Sequence, residues 1–503
     1  MLNDKNKILA LAIIMACLIS LLHIFFCFDV YDDIAACYAP MVRAFADADW
    51  RNAFCIDLPI LSTTMAGVLN VCGLEPFRAL VVISCLFYIA SIFPLYYILK
   101  YFLKRGDHAA WGCVLYVLAN KIIRFSCTGL LNPAKNFFII AAIALILASA
   151  KRLKWKNSLL LGIVLAGLAL ARAETLIFLP LLVLWYAYFI FKNKELLLKK
   201  RLTLILLHCL VITTMFFICV SPRLYQSYKI IGVPVLDIRQ ANYVCSIIPF
   251  EQSTYKNKLF VIAERKTIIP STKSKSGLEM TWQGVECFTR GAYTPYLILA
   301  LLGIFLWWRK KKDRPEAFML FSIIALNIAV LITISNSVRY YTITLIMFLP
   351  FTFMGLKFIC ELLVNYKKFF KPILIILFFA AAVYQISNGA KKAIKRKYDY
   401  EYKSGIWINV NKDKFCKPSN KRILIASSQP QYALWADAKW LGISGHKIQF
   451  AEQLSEINEA DFVVLEDDQQ DAIAILKSKK RFKLLEQQYP EVFIFVNLKR
   501  NRK

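Results

Sequence analysis

Eleven apolar stretches separated by short basic loops constrain this chain more than any other feature. A helix of about 20 apolar residues spans the hydrocarbon of a bilayer, and only helices and closed barrels satisfy their backbone there. The stretches run roughly over 8–28, 79–102, 109–126, 130–150, 157–171, 175–191, 202–220, 293–308, 317–334, 340–358 and 372–388. Of the 503 residues 58% are hydrophobic and 19% charged, and the apolar residues come in blocks, which is the composition of a polytopic membrane protein. The first block, Ile8 to Phe28, covers 21 residues without a small-residue cleavage site, and is read as an uncleaved anchor. The stretches 157–171 and 293–308 are short; 15 residues of helix reach only about 22 Å and need sheltering neighbours or a thinner bilayer.

The charges set the expected orientation. Lys and Arg total 63 against 33 Asp and Glu, an excess that in a soluble chain would point to nucleic acid. Here most of the basic residues lie in loops between apolar blocks, so no nucleic-acid partner is expected. Alternate loops carry Lys100, Lys104 and Arg105, then KRLKWK (151–156), FKNKELLLKKR (191–201), WRKKKDR (308–314), and Lys357 with YKKFFK (366–371). The opposite loops are poorer in cations, which puts the N-terminus in the cytosol and the C-terminus outside. The 14 cysteines are scattered. Cys17, Cys85, Cys209, Cys219 and Cys360 read as packing residues, whereas Cys37, Cys55, Cys127, Cys245 and Cys287 face the side where a disulfide can form. The four histidines are not paired at metal-ligand spacing.

Two regions follow: a membrane bundle over 1–388 and a soluble α/β domain over 389–503. The bundle includes an outer loop 29–57, an interfacial helix 58–73 and an outer loop 221–292. In the C-terminal region KRILIAS (421–427), HKIQF (446–450), ADFVVLED (460–467) and EVFIFVN (491–497) have strand character, and 432–441 and 470–481 read as helices. No glycine-rich phosphate loop follows these strands, so no nucleotide site is expected. No internal repeat stands out.

Two sets of residues carry candidate chemistry. Asp29, Asp32 and Asp33 follow the first span; on a continuing helix they share a face, where they repel one another unless cations or a divalent metal compensate. That makes one of them a candidate general base, against the plainer reading of a solvated or capped helix end. Arg78, Arg124, Lys135, Arg172 and Arg339 lie beside apolar blocks on the same outer side. Any one of these alone would be read as snorkelling to lipid head groups. Together they suit a phosphate, with Glu174 as another partner for Arg172. A base and several cations outside the membrane fit a transfer in which the donor is carried by lipid, since nucleotide sugars are cytosolic.

At this point the chain resembles a C-type (GT-C) glycosyltransferase of the family 39 kind, the group that includes protein O-mannosyltransferases and aminoarabinose transferases. Asp32, Asp33, Tyr38 and Ala39, then Ala48, Asp49 and Trp50, resemble the family's first outer loop, D-[DE]-x-x-Y…A…G-D-W. LEPFRAL (74–80), LAGLALARAETLIFLPLL (165–182) and SVRYYTITLIMFLP (337–350) resemble its later motifs in order, and SGIWINVN (404–411), KRILIASSQPQYALWAD (421–437) and EADFVVLED (459–467) its soluble outer domain.

The resemblance implies a mainly α, GT-C-type bundle of about 11 spans with a small extracytoplasmic α/β domain, in a bacterial inner membrane. It implies an inverting transfer from a polyprenyl-phosphate sugar to a lipid, glycan or protein acceptor. Asp33, or else Asp32, would be the base, and Arg78, Arg172, Arg339 and Tyr340 would line the donor phosphate or the cavity behind it, with Tyr38 and Glu174 beside them. No cofactor is assigned, and a divalent cation on the carboxylates is left open. Two departures bear on the phosphate site: the family's K-P-P-L segment reads CIDLPIL (55–61), and the usual Pro after Arg172 is Ala173. A carrier or flippase for lipid-linked sugars, and a membrane-anchored binding protein, are the alternatives from other classes.

Overall fold

The computed structural model describes residues 5–27, 30–54, 59–192, 197–231, 234–236, 286, 288–289, 294–309, 314–334, 338–366, 380, 383–384, 387, 399–416, 422–443, 450, 453–485 and 492–498. Helices cover the first ten apolar stretches, while 372–388 lies largely outside the described residues. The first helix, α1, runs Lys5–Phe26. After the outer segment come α5 (Pro76–Ala90) and α6 (Ile92–Leu103), which meet at Ser91, then α7 (Gly106–Leu118) and α8 (Asn120–Ser126), broken at Ala119. Next are α9 (Asn132–Lys151), α10 (Trp155–Ala171), α11 (Phe178–Phe191) and α12 (Leu198–Ile231). Helices α13 (Thr294–Arg309), α14 (Arg314–Ile334) and α15 (Thr342–Tyr366) complete the bundle. Among the described residues five helical segments are long and apolar enough to cross a membrane: Lys5–Phe26, Pro76–Leu103, Asn132–Lys151, Leu198–Lys229 and Val338–Val364.

Short α10 packs between the longer α9 and α12, the shelter that its length requires. Gly162 permits that approach, because a Cβ there would lie 2.6 Å from the Ile212 carbonyl oxygen of α12. Pro222 was expected to stand in an outer loop beginning at 221; instead α12 runs through it to Ile231. Proline cannot donate to the carbonyl four residues back, and the Ser221 hydroxyl donates to that oxygen, on Ile218, at 2.9 Å. Beyond the proline, buried Arg223 donates to the Phe54 carbonyl at 2.8 Å and ties the end of α12 to the first outer segment.

The segment 29–57, read as a loop, is helical over most of its described length. A π turn, Ile34–Tyr38, continues into α2 (Ala39–Ala46), then α3 (Trp50–Ala53), whose first turn Asp49 caps. Helix α4 (Leu61–Val71) falls within the stretch read as an interfacial helix and packs on α2 and α5.

The C-terminal unit is a five-stranded sheet of order β2-β1-β3-β5-β4. Strands β1 (Leu424–Ser427), β2 (Lys439–Gly442) and β3 (Phe462–Glu466) are parallel, and β5 (Val492–Asn497) and β4 (Phe482–Leu484) are antiparallel to their neighbours. One face buries Ile408 of α16 (Asp399–Phe415) and Tyr432 of α17 (Gln431–Trp435); the other buries Ile473 and Leu476 of α19 (Gln470–Ser478), which follows the short α18 (Leu454–Ile457). The helix expected over 432–441 ends at Trp435. Asp437 turns the chain with φ +50°, and 439–442 becomes an edge strand. Residues 446–449, read as a strand, lie outside the described residues.

Burial, and then the nearby Asp468, push the Glu466 carboxyl of β3 above its usual range, and a hydrogen bond from Tyr432 only partly offsets this. A carboxyl with a raised folded-state value favours its protonated form, so its contribution to stability is full at acid pH and is lost as pH rises through that value. Glu466→Gln is therefore expected to raise the melting temperature at pH 7 and to leave it unchanged near pH 4, as thermal unfolding at the two pH values would show; an equal shift at both would contradict the assignment.

Candidate functional site

The neck of α15, the break after α10 and the first turn of α9 converge on one aromatic ring. Tyr340 lies in the 3-10 turn Val338–Tyr341 that leads into α15. Its ring is faced by three cations, Arg172 at 4.7 Å, Arg339 at 5.1 Å and Lys135 at 5.6 Å from the centroid. Its hydroxyl accepts from Arg172 Nη2 at 3.0 Å and from Arg339 Nη2 at 3.3 Å. Cations held over a ring gain from its quadrupole, more so when desolvated. Arg172 is only 9% exposed and Lys135 only 1%, so their charge is directed inward.

Arg172 owes its position to a local break. It adopts an extended conformation, φ −163° and ψ 134°, between α10 and the 3-10 turn Ala173–Ile177. A following proline would favour such a backbone. With Ala173 in that place, the buried Thr175 hydroxyl donates to Leu168 O at 2.7 Å and also reaches Arg172 O, fastening the break from the other side. The guanidinium then donates to Asn132 Oδ1 at 2.9 Å, and Asn132 donates in turn to the Arg339 carbonyl at 3.3 Å. The Glu174 side chain lies outside the described residues.

Asp33 meets this cluster through Arg339, with Nη2 to Oδ2 at 2.5 Å. Asp33 precedes the π turn yet its carboxylate makes no capping bond to it. Tyr38, at the end of that turn, is buried, and burial more than the nearby charges holds its hydroxyl protonated by raising its pKa. Asp32 and Asp33 take different partners: Asp32 meets Gln431, whose Nε2 donates to Oδ1 at 2.8 Å. Asp29 lies outside the described residues.

Arg78 occupies a different place. It donates to the carbonyls of Ile24 and Cys27, each at 2.8 Å, so it stands at the C-terminal end of α1, where a helix presents unsatisfied acceptors and partial negative charge. Its own helix is capped by Glu75, which accepts from the amides of Phe77 and Arg78. Arg124 lies beside Phe125, and its Nε is buried with no partner among the described residues.

Among the described residues no group of three or more His, Cys, Asp or Glu is placed to hold a metal ion. One oxygen of Asp33 is engaged by Arg339 and one of Asp32 by Gln431, and no step is derived through a cation. Lys135 was legible only as one outer cation among five. Asn132 and Gln431 carried no signal in the sequence, since an isolated amide marks neither a helix face nor a site.

No family model and no curated protein matches the chain. Solved structures do. The Archaeoglobus fulgidus oligosaccharyltransferase in complex with zinc and sulfate superposes with a TM-score of 0.55 at 13% identity, over 97% of this chain and 73% of that one. ArnT from Cupriavidus metallidurans bound to undecaprenyl phosphate gives 0.60 at 12% identity, over 97% of each chain. The chain therefore has the GT-C-type fold that the resemblance implied, a helical membrane bundle with a small C-terminal sheet.

The placement of Arg78 yields a test. Arg78→Ala removes a charged donor from two carbonyls and is expected to cost about 1–3 kcal/mol, read as a lower melting temperature in detergent. Arg78→Lys would recover part of the loss. A melting temperature unchanged in both variants would contradict the role.

Proposed function

We propose that this chain is an integral-membrane inverting glycosyltransferase that moves a sugar from a polyprenyl-phosphate donor to an acceptor hydroxyl on the extracytoplasmic face. The observation that carries the reading is the Asp33–Arg339 ion pair at the edge of the cation cluster around Tyr340. A carboxylate beside three cations is an arrangement for removing a proton at one point while negative charge develops at another. Several elements hold those groups in place before substrate arrives, which limits reorganisation during the reaction.

The step balances without a cofactor. Asp33 takes the acceptor's hydroxyl proton as the oxygen forms its bond to the anomeric carbon. The bond from that carbon to the phosphate oxygen breaks, and its electron pair leaves with the polyprenyl phosphate. A single displacement of this kind inverts the anomeric centre. Arg339, Arg172 and Lys135 are placed to neutralise the departing phosphate, and the Arg339 Nε, buried with no partner among the described residues, is a donor that such an anion would satisfy. Without donor, Arg339 neutralises Asp33; an arriving phosphate competes for the same guanidinium and frees the carboxylate to act as base.

The donor class is supported by the undecaprenyl phosphate in one structure of this fold, and by the positive-inside bias that places residues 29–57 outside the cytosol. The same bias favours an N-terminus in the cytosol and the region after 389 outside, and the resemblance implies a bacterial plasma membrane. The acceptor is a hydroxyl of a lipid, a glycan or a protein.

Purified protein incubated with a panel of polyprenyl-phosphate sugars should release polyprenyl phosphate, detected by mass spectrometry. Loss of a positioned general base lowers rates by about 10²–10⁴-fold, so Asp33→Asn should fall by that factor per folded molecule, with folded protein still recovered although the variant loses the ion pair to Arg339 and melts lower. Full activity in Asp33→Asn, Asp32→Asn and the double variant would overturn the assignment.

A further inference from the structure

Gln431 begins α17 of the C-terminal unit, yet its side chain is buried against the first outer segment, 401 residues earlier in the chain. It is 5% exposed. Its amide donates to Asp32 Oδ1 at 2.8 Å and to Val30 O at 3.3 Å. Both neighbours are acceptors, so the orientation of the amide is settled by chemistry: the reverse would set its carbonyl oxygen against a carboxylate and a backbone oxygen.

The helix that carries Gln431 is fastened to the same segment at its other end. Arg43 of α2, 6% exposed, donates to Leu434 O at 2.7 Å and pairs with Asp437 at 3.3 Å. Arg422 meets Asp47 at 2.9 Å and reaches Asp437 at 3.6 Å. Trp435 packs edge-on against Phe77 of α5, with centroids 5.9 Å apart. These contacts all hold α17 and its neighbours against the segment that carries Asp32.

We infer that Gln431 is a positioning residue for Asp32, and that the C-terminal unit completes the catalytic centre by supplying it. This rests on the transferase reading. The two adjacent carboxylates have one cluster of cations between them. An amide donor holds Asp32 without neutralising it, turns it away from Arg339 and leaves that guanidinium to Asp33. When an arriving phosphate competes for that guanidinium, Asp33 is freed as the base, and the acceptor meets a fixed pair of carboxylates.

The test uses the full-length protein and two variants. Gln431→Leu keeps the volume and removes the donor; Gln431→Glu keeps the shape and sets a second carboxylate against Asp32. Losing a hydrogen bond to a charged group should lower kcat per folded molecule about tenfold in Gln431→Leu, with KM for the lipid donor within about twofold and folded protein still recovered at a lower melting temperature; Gln431→Glu should lose more. Amide hydrogen exchange over residues 30–38 reads the contact without turnover and should quicken in Gln431→Leu. Wild-type kcat in both variants, unchanged exchange, or a loss of activity that only follows a loss of folded protein would each overturn the inference. If the wild type releases no polyprenyl phosphate from any donor, the transferase reading fails, and exchange alone decides the Gln431 contact.

Discussion

The ion pair between Asp33 and Arg339 joins residues 306 positions apart, and the organisation of this end of the bundle depends on it. Asp33 belongs to the segment that follows the first helix, and Arg339 to the turn before α15. Between them Tyr340 gathers charge delivered by two further helices, Arg172 from the end of α10 and Lys135 from α9. An isolated charge at such depth would cost several kcal/mol. Shared among a ring, a carboxylate and the Asn132 amide, the charges become tolerable.

The outer segment is held from three sides, which gives the site its rigidity. Arg78 fixes the end of the helix before it, Arg223 binds the Phe54 carbonyl near its far end, and Arg43 fastens its middle to α17. In each case an arginine donates to main-chain carbonyls, the acceptors that broken or terminating helices leave unsatisfied. The irregular backbone needed to present two aspartates is thus stabilised by side chains from distant parts of the chain. Arg78, which the resemblance assigns to the donor phosphate or the cavity behind it, takes part in this bracing, while Arg339, Arg172 and Lys135 gather at the Tyr340 ring.

The legible parts were those governed by local pattern. Apolar runs became helices because their length and hydropathy leave few other structures, and β1, β3, β5 and α19 followed from alternation and periodicity. The errors have particular causes. The apolar stretch ends at 220 and a loop was expected from 221, but at Pro222 Ser221 supplies the missing donor and α12 continues. Residues 432–441 carry a helical mix of Ala, Leu and Trp, yet the left-handed Asp437 ends the helix and pairing with β1 makes 439–442 a strand. Asp32 and Asp33 were both legible as candidates. Their separation was not, because it depends on a glutamine 399 residues further along the chain.

All of the chemistry proposed here places the Asp33 site on the side of the membrane away from the cytosol, and an exposed native cysteine tests that directly. Cys72 ends α4, the helix packed on α2, and its side chain is exposed. A membrane-impermeant maleimide applied to intact cells should modify the peptide containing Cys72, and Cys72→Ser should abolish the signal. Modification that occurs only after the cytosolic side has been opened would contradict the account.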